Sequence, residues 1–317
     1  MIIFHNKQTE KHNPIREGEG SYRVENFIET VSDTQIKDLI PLVEAEINFT
    51  HSSRHKQKMK GACKSKCRVA EVFLAPDSYN AMLTSVALAI MAADQNAFAI
   101  TRPPGHHAIK EGAQGLCFFN NIAVATSYLV RQGKRVCIVD IDGHHGNGTQ
   151  AIFKKNENVF YCSMHQEYVY PYSSGLVSDI GFGHSFKKAI NIPLRAGSGD
   201  DIFISSLEFF IGYIKEFNPD YIAVSAGFDG YIKDTVLELK YSKNGYYQVG
   251  KLLSSLNLPT FAVLEGGYHN EVKECVQSFV SGFSGDEFPF LDAFSTSPIE
   301  CKNKHLATMG ILARLLG

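Results

Sequence analysis

Five residues carry the chemistry of this sequence: Asp142, His144, Asp229 and the adjacent pair His106-His107. They stand in RPPGHHA (102–108), DIDGHHGNGTQ (140–150) and SAGFDG (225–230), and a fourth short motif, LEGGY (264–268), adds Tyr268. Two carboxylates and an imidazole are a three-ligand set for a catalytic zinc, which keeps a fourth position open. Asp142 and His144 are two apart at a strand end, so their side chains point the same way, and Asp140 shares that face one step back. Asp229 ends a different strand and supplies the third ligand. Without a metal, the same residues would be a hydrogen-bonded Asp/His cluster. Zinc suits the mixed nitrogen and oxygen set best, and Fe(II) or Co(II) would also bind it.

The histidine pair has no metal-ligand spacing of its own and suits proton transfer. Pro103-Pro104-Gly105 holds the backbone out of a helix and lets it approach a ligand closely. Adjacent side chains usually diverge, so two rings on one site require an irregular turn. One ring can take a proton from water and return it to a leaving amine. Each ring needs a partner to fix its tautomer, and Asp140 and Asn147 are the nearby candidates. Tyr268 follows Gly266-Gly267, and its hydroxyl can donate to a developing oxyanion. The set reads as metal-assisted hydrolysis of an amide. His165 and His269 read as structural or rim residues, and His12 and His184 receive no role.

Regular elements have to position these groups. Short β-branched runs at 97–101, 135–141, 158–163, 220–225 and 259–264 read as strands. Segments 78–94, 120–132, 200–217, 243–256 and 270–283 read as helices. Helix 200–217 opens on Asp200-Asp201 and ends before Asn218-Pro219, which are favourable residues at each end. Strand runs that are apolar throughout indicate a parallel sheet covered on both faces. Strand-helix alternation gives an α/β fold. RPPGHHA follows strand 97–101, DIDGHH completes 135–141, SAGFDG completes 220–225 and LEGGY completes 259–264. Every candidate group therefore lies at the carboxyl end of a strand, the edge where open α/β sheets bind ligands.

With 317 residues, 44 % apolar and 20 % charged, the chain can bury a sizeable core, read as a single domain over 1–317. A net charge of −2 gives no global pull toward nucleic acid or membrane. No apolar stretch is long enough to span a bilayer. The amino-terminal MIIFHNKQTEK is strand-like and then charged, unlike a signal peptide. Seven cysteines, an odd number, with Cys137 and Cys162 inside apolar strands, point to reduced thiols in a cytoplasm.

RPPGHHA, GLCFFNN (115–121), DIDGHHGNGTQ, SAGFDG and LEGGY, in that order, resemble the zinc-dependent histone deacetylase and acetylpolyamine amidohydrolase superfamily. LEGGY and Asn147 are similar to its class II and bacterial branch, and SYRVE (21–25) resembles a segment whose arginine lies near an inner cavity. The resemblance implies the arginase-deacetylase α/β fold, a mainly parallel sheet of about eight strands flanked by helices. It implies zinc on Asp142, His144 and Asp229, with His107 as general base and then general acid. It implies that His106 pairs with Asp140 as electrostatic support, and that Tyr268 polarises the scissile carbonyl. A structural potassium ion would take Asp140, the backbone of Asp142, His144 and Met164, and the Ser163 hydroxyl. Phe153 and Val159 fit a second cation loop. Gly115, Leu116, Tyr170 and Gly266 fall at substrate-binding positions. The implied reaction removes an acetyl or related acyl group from an acetylpolyamine or acetyl-lysine, a small-molecule or peptide substrate. An arginase-like ureohydrolase would need a second metal set, and an acyl-binding pseudoenzyme would not need His107 and Tyr268 intact.

Departures from the family pattern bear on specificity. Leu116 stands where relatives usually carry an aromatic tunnel wall, opposite Tyr170, and implies a wider tunnel. Val236 replaces a glutamate that a polyamine-specific branch carries, and Thr235 replaces the proline usual after Asp234. Glu17 and Glu19 are candidates for negative charge at the rim. Residues 50–70 hold Arg54, Lys56, Lys58, Lys60, Lys64, Lys66 and Arg68 without one acid. The resemblance places a variable loop near the tunnel mouth, or a homodimer contact, here. Three readings apply: a solvated mobile loop, a small metal site on His51, His55, Cys63 and Cys67, or a rim filter that repels cationic substrates.

Overall fold

The computed structural model describes residues 1–12, 19–181, 183 and 187–317. In chain order its strands are β1 (Ile3–Phe4), β2 (Arg68–Val69), β3 (Val72–Phe73), β4 (Phe98–Ala99), β5 (Val136–Asp140), β6 (Val159–Gln166), β7 (Ala189–Leu194), β8 (Tyr221–Ala226) and β9 (Thr260–Leu264). Seven of them form one sheet in the order β1-β4-β9-β8-β5-β6-β7, while β2 and β3 make a separate hairpin. Every pairing in the large sheet is parallel. The α/β expectation holds, with seven strands in the sheet among the described residues.

The side-chain alternation of each strand feeds two cores. Val136 and Ile138 of β5 pack on one face, with Ala223 of β8 and Phe261 of β9. Cys137 and Val139 pack on the other, with Val224 and Ala262. The first core is closed by α1 (Asp33–Thr50), α2 (Ser53–Lys64), α3 (Ser78–Gln95) and α4 (Asn121–Arg131). The second is closed by α6 (Asp200–Phe217), α7 (Lys243–Ser254), α8 (Val272–Ser284) and α9 (Ile299–Leu316). A short α5 (Asn147–Phe153) follows β5. None of the helices is long and apolar enough to cross a membrane among the described residues. All seven cysteines are free, and only Cys67 is exposed.

Residues 50–70 fold as α2 and the first strand, β2, of the small hairpin, not as a mobile loop. His51 caps the end of α1, where its Nδ1 donates to the Ile109 carbonyl at 3.0 Å and its Nε2 accepts from the Asn120 N–H at 2.9 Å. His55 pairs through Nε2 with the Phe118 carbonyl at 2.7 Å. Both rings are thus spent on pinning the segment that leads into α4, and Cys63 is buried while Cys67 is exposed. The four-ligand metal reading of this segment is overturned: among the described residues only Asp142, His144 and Asp229 are grouped closely enough to hold an ion.

Burial, helped by the nearby His55, lowers the His51 pKa from 6.5 to about 3. Over that interval the unfolded chain binds a proton that the folded chain refuses, so stability falls as pH drops below 6.5. The contribution is up to ~1.4 kcal/mol per pH unit. Urea unfolding at pH 7 and pH 5 should show a smaller acid loss in His51→Gln than in the parent. Equal losses would remove His51 as a source of acid sensitivity.

Candidate active site

The floor of the site is built where β5, β8 and β9, neighbours in the sheet, end together. Asp140 is the last residue of β5 and is in register with Ser225 of β8. Asp142 and His144 follow β5, and Asp229 lies three residues past β8. One ligand atom from each of Asp142, His144 and Asp229 lies within 4.8 Å of the others. His144 Nδ1 is 2.6 Å from Asp229 Oδ2 and 3.3 Å from Asp142 Oδ1. Backbone donors fix the carboxylates: Gly143 N–H to Asp229 Oδ1 and Gly266 N–H to Asp142 Oδ2, both at 2.7 Å. Gly266 has to be glycine, because a Cβ there would stand 2.5 Å from Asp229 Oδ2 and 2.7 Å from Asp142 Oδ2.

Two buried carboxylates facing each other call for a cation between them. Burial and the Asp142 charge push the Asp229 pKa up to about 6. Burial opposes the charged form of His144, but Asp229 and Asp142 outweigh it and hold the ring up at about 10. With only the protein's own charges counted, the imidazolium plays the cation's part. The donor set of two buried carboxylates and one imidazole nitrogen, of which His144 lines a pocket, fits a divalent ion.

The histidine pair does adopt an irregular turn, with ring centroids 4.0 Å apart. His106 Nδ1 faces Asp140 Oδ2 at 3.2 Å, and the Tyr161 hydroxyl donates to the same oxygen at 3.0 Å. His107 Nδ1 donates to Asn147 Oδ1 at 2.8 Å. The Asn147 amide donates its own N–H to Gln114 Oε1 at 3.0 Å, which fixes its orientation. His107 therefore carries its proton on Nδ1 and leaves Nε2 as an acceptor. The rings titrate in opposite directions. Burial disfavours a charge on His106, but Asp142 and Asp140 overcome it and raise the pKa to about 10. Burial and the charges of His106 and His144 push His107 well below 6.5. A pair of groups driven apart in this way is suited to divided roles in proton transfer.

Tyr268 lines the same cavity, just past the end of β9. Its N–H donates to Asp234 Oδ2 at 2.6 Å, its carbonyl accepts from the Tyr22 hydroxyl at 2.8 Å, and the Arg23 guanidinium lies 4.8 Å from its ring centre. Arg23 in turn donates to the Gly267 and Glu265 carbonyls. Burial pushes the Tyr268 phenol well above 10, so it is a proton donor at neutral pH.

These groups open onto a cavity of about 370 Å³, lined by His106, His107, Gly115, Leu116, His144, Tyr170, Gly266 and Tyr268 among others. The Tyr170 ring packs edge-on against His107 with centroids 4.9 Å apart. Gly115 and Leu116 are the middle of a tight turn closed by Gln114 and Cys117, and both have positive φ (50° and 68°). That is a strained choice for leucine. Gly115 is dictated by space, since a Cβ would lie 2.6 Å from His107 and 2.8 Å from Tyr170. Val236 also lines the wall.

Other expected site residues fall elsewhere. Glu19 lines the cavity but is buried and clamped by Arg23 and Arg102 at 3.3 and 3.1 Å, so it is not a free rim charge. Glu17 and His184 lie outside the described residues. None of the seven cations of residues 50–70 lines the cavity; Glu71, just beyond them, does. Ser163 and Met164 are buried on β6, with the Ser163 hydroxyl 2.8 Å from His165 Nδ1. His269 pairs with the Phe228 carbonyl and His12 with the Ser78 hydroxyl. Gln114, Tyr161 and Glu265, each bonded to a residue of the site, were not singled out by sequence, because their contacts join segments far apart in the chain.

The Histone deacetylase domain family matches residues 18–283. An acetylpolyamine amidohydrolase of Burkholderia pseudomallei (strain 1710b) is 37 % identical over 190 residues, 59 % of this chain and 56 % of that protein. The chain thus spans about half the length of that curated relative. A probable deacetylase of Methanothermobacter thermautotrophicus is 31 % identical over 308 residues, 91 % of this chain and 92 % of the relative. The crystal structure of the HDA15 HD domain matches with a TM-score of 0.84 at 23 % identity, over 99 % of this chain and 94 % of that one, a likeness of fold alone. A family match over most of the chain, together with a relative aligned almost end to end, means that the chain belongs to the histone deacetylase domain family.

Proposed function

We propose that this chain is a zinc-dependent amidohydrolase that removes an acetyl or related acyl group from an amine chain, an acetylpolyamine or acetyl-lysine. The observation that carries this reading is the convergence of Asp142, His144 and Asp229 to within 4.8 Å beside a cavity that His107 and Tyr268 also line. The names of the two relatives, acetylpolyamine amidohydrolase and probable deacetylase, point to the same reaction.

An ion held by Asp142, His144 and Asp229 would supply Lewis acidity at the scissile carbonyl. The chain's own residues do the rest. Asn147 keeps the His107 proton on Nδ1, so Nε2 takes a proton from the attacking water and later hands it to the leaving amine. His106, paired with Asp140, supplies electrostatic support. The Tyr268 hydroxyl donates to the developing oxyanion. Tyr170 and Leu116 flank the acyl-amine chain, and Gly115 and Gly266 keep the space clear. A potassium ion belongs to the same reading. Asp140, the last residue of β5, is the register partner of Ser163 within β6, and with the backbone of Asp142, His144 and Met164 they would hold it.

The test is kcat/KM of the zinc-loaded chain for acetylputrescine, acetylspermidine and an acetyl-lysine peptide, side by side. Turnover of at least one is expected; no turnover of any would overturn the reading. Leu116 has no ring face to stack on the substrate, so Leu116→Phe should narrow the tunnel and shift preference from longer acyl groups toward acetyl. An unchanged acyl-length profile would count against Leu116 as a tunnel wall.

A further inference from the structure

Neighbouring residues rarely aim both side chains at one site, so the turn that carries His106 and His107 has to be held from outside. It is held by Glu265. One oxygen of this carboxylate, Oε2, accepts from the Gly105 N–H at 2.7 Å and from the His106 N–H at 3.1 Å. The Ser225 hydroxyl reaches the other oxygen at 3.4 Å. The side chain is fully buried and does not line the cavity. Among the described residues no lysine or arginine reaches its carboxylate. Burial pushes the Glu265 pKa up to about 7, opposed by the nearby His106 charge and the Gly105 N–H, and the two backbone bonds hold its Oε2 in place. Glu265 itself is fixed at the end of β9, where its N–H donates to the Ala226 carbonyl at 3.0 Å and its own carbonyl accepts from Arg23. The far side of the turn is closed by Thr149, whose N–H donates to the His106 carbonyl at 3.0 Å. A Cβ on Gly105 would press on the Phe119 carbonyl and the Asn120 and Asn121 backbone, so the turn is confined on that side as well.

We propose that Glu265 is a positioning residue, whose carboxylate grips the Gly105-His106 backbone and so sets both imidazoles at once. It acts through the turn and touches no reacting atom. The inference rests on the hydrolytic reading, in which His107 moves the proton.

The test compares Glu265→Ala and Glu265→Gln in the metal-loaded full chain. Glutamine keeps a carbonyl oxygen able to accept both N–H groups; alanine removes it. Glu265→Ala should lower kcat by about 10²-fold, the scale of a roughly 1 Å displacement of a positioned group, with KM and metal content unchanged. Glu265→Gln should restore most of kcat. Independently of turnover, amide hydrogen exchange across 102–108 should quicken in the alanine variant and stay slow in the glutamine variant. Undiminished kcat in Glu265→Ala, equal loss in both variants, or unchanged exchange across 102–108 would each overturn the proposal. If the parent chain hydrolyses no acyl amine, the exchange comparison still decides whether the grip exists, and the hydrolytic reading fails separately.

Discussion

Asp229→Ala is expected to abolish metal binding and turnover together. The Asp229 carboxylate spends one oxygen on the Gly143 N–H and sets the other 2.6 Å from His144 Nδ1. Its removal deletes one of three ligands and also frees the ring of a second. Asp142 and His144 alone cannot hold an ion in a closed geometry. Loss of Lewis acidity is worth several kcal/mol, so kcat should fall by at least about 10³-fold. Elemental analysis and turnover of the purified variant check this. A variant that keeps about one metal per chain with full activity would contradict the assignment.

Tyr268→Phe is expected to lower kcat by roughly 10²–10³-fold, the effect of deleting one oxyanion donor. Its backbone is tied to Asp234 and Tyr22, and Arg23 lies over its ring. None of these contacts uses the phenolic hydroxyl. The phenylalanine ring should therefore keep its place, and metal content and KM should stay as they are. A rise in KM with kcat unchanged would make Tyr268 a binding residue instead.

The four motifs were legible because each combines rare residue types with a strand end. β4, β5, β8 and β9 are neighbours in the sheet, so short-range reading of each run placed the chemistry on one edge. The central strands were also legible, since β5 and β9 are buried at every position and read as continuous apolar runs. Elements with mixed signals were not. β7 carries Asn191 and Pro193; proline demotes a run to an edge strand, and β7 is indeed at the edge of the sheet. Helix α1 contains Pro41, a residue that normally stops a helix, and its start is secured by a Ser32-Gln35 capping box. Helix α2 hides its amphipathic pattern under lysines, although His55, Met59, Ala62 and Cys63 form a buried stripe. The two partners of the histidine pair were nameable because both lie in DIDGHHGNGTQ. The hold of Glu265 on Gly105 spans 160 residues, and no local pattern announces it. Glu19 misled because charge in a loop suggests a rim, whereas here it sits buried between Arg23 and Arg102.

The most direct measurement strips the chain with a chelator and follows hydrolysis of an N-acetylated amine as zinc is added back. Activity should vanish on stripping and return in full at about one zinc per chain, as expected for one three-ligand site. Full activity in the metal-free chain would contradict the reading of Asp142, His144 and Asp229 as the centre of the reaction.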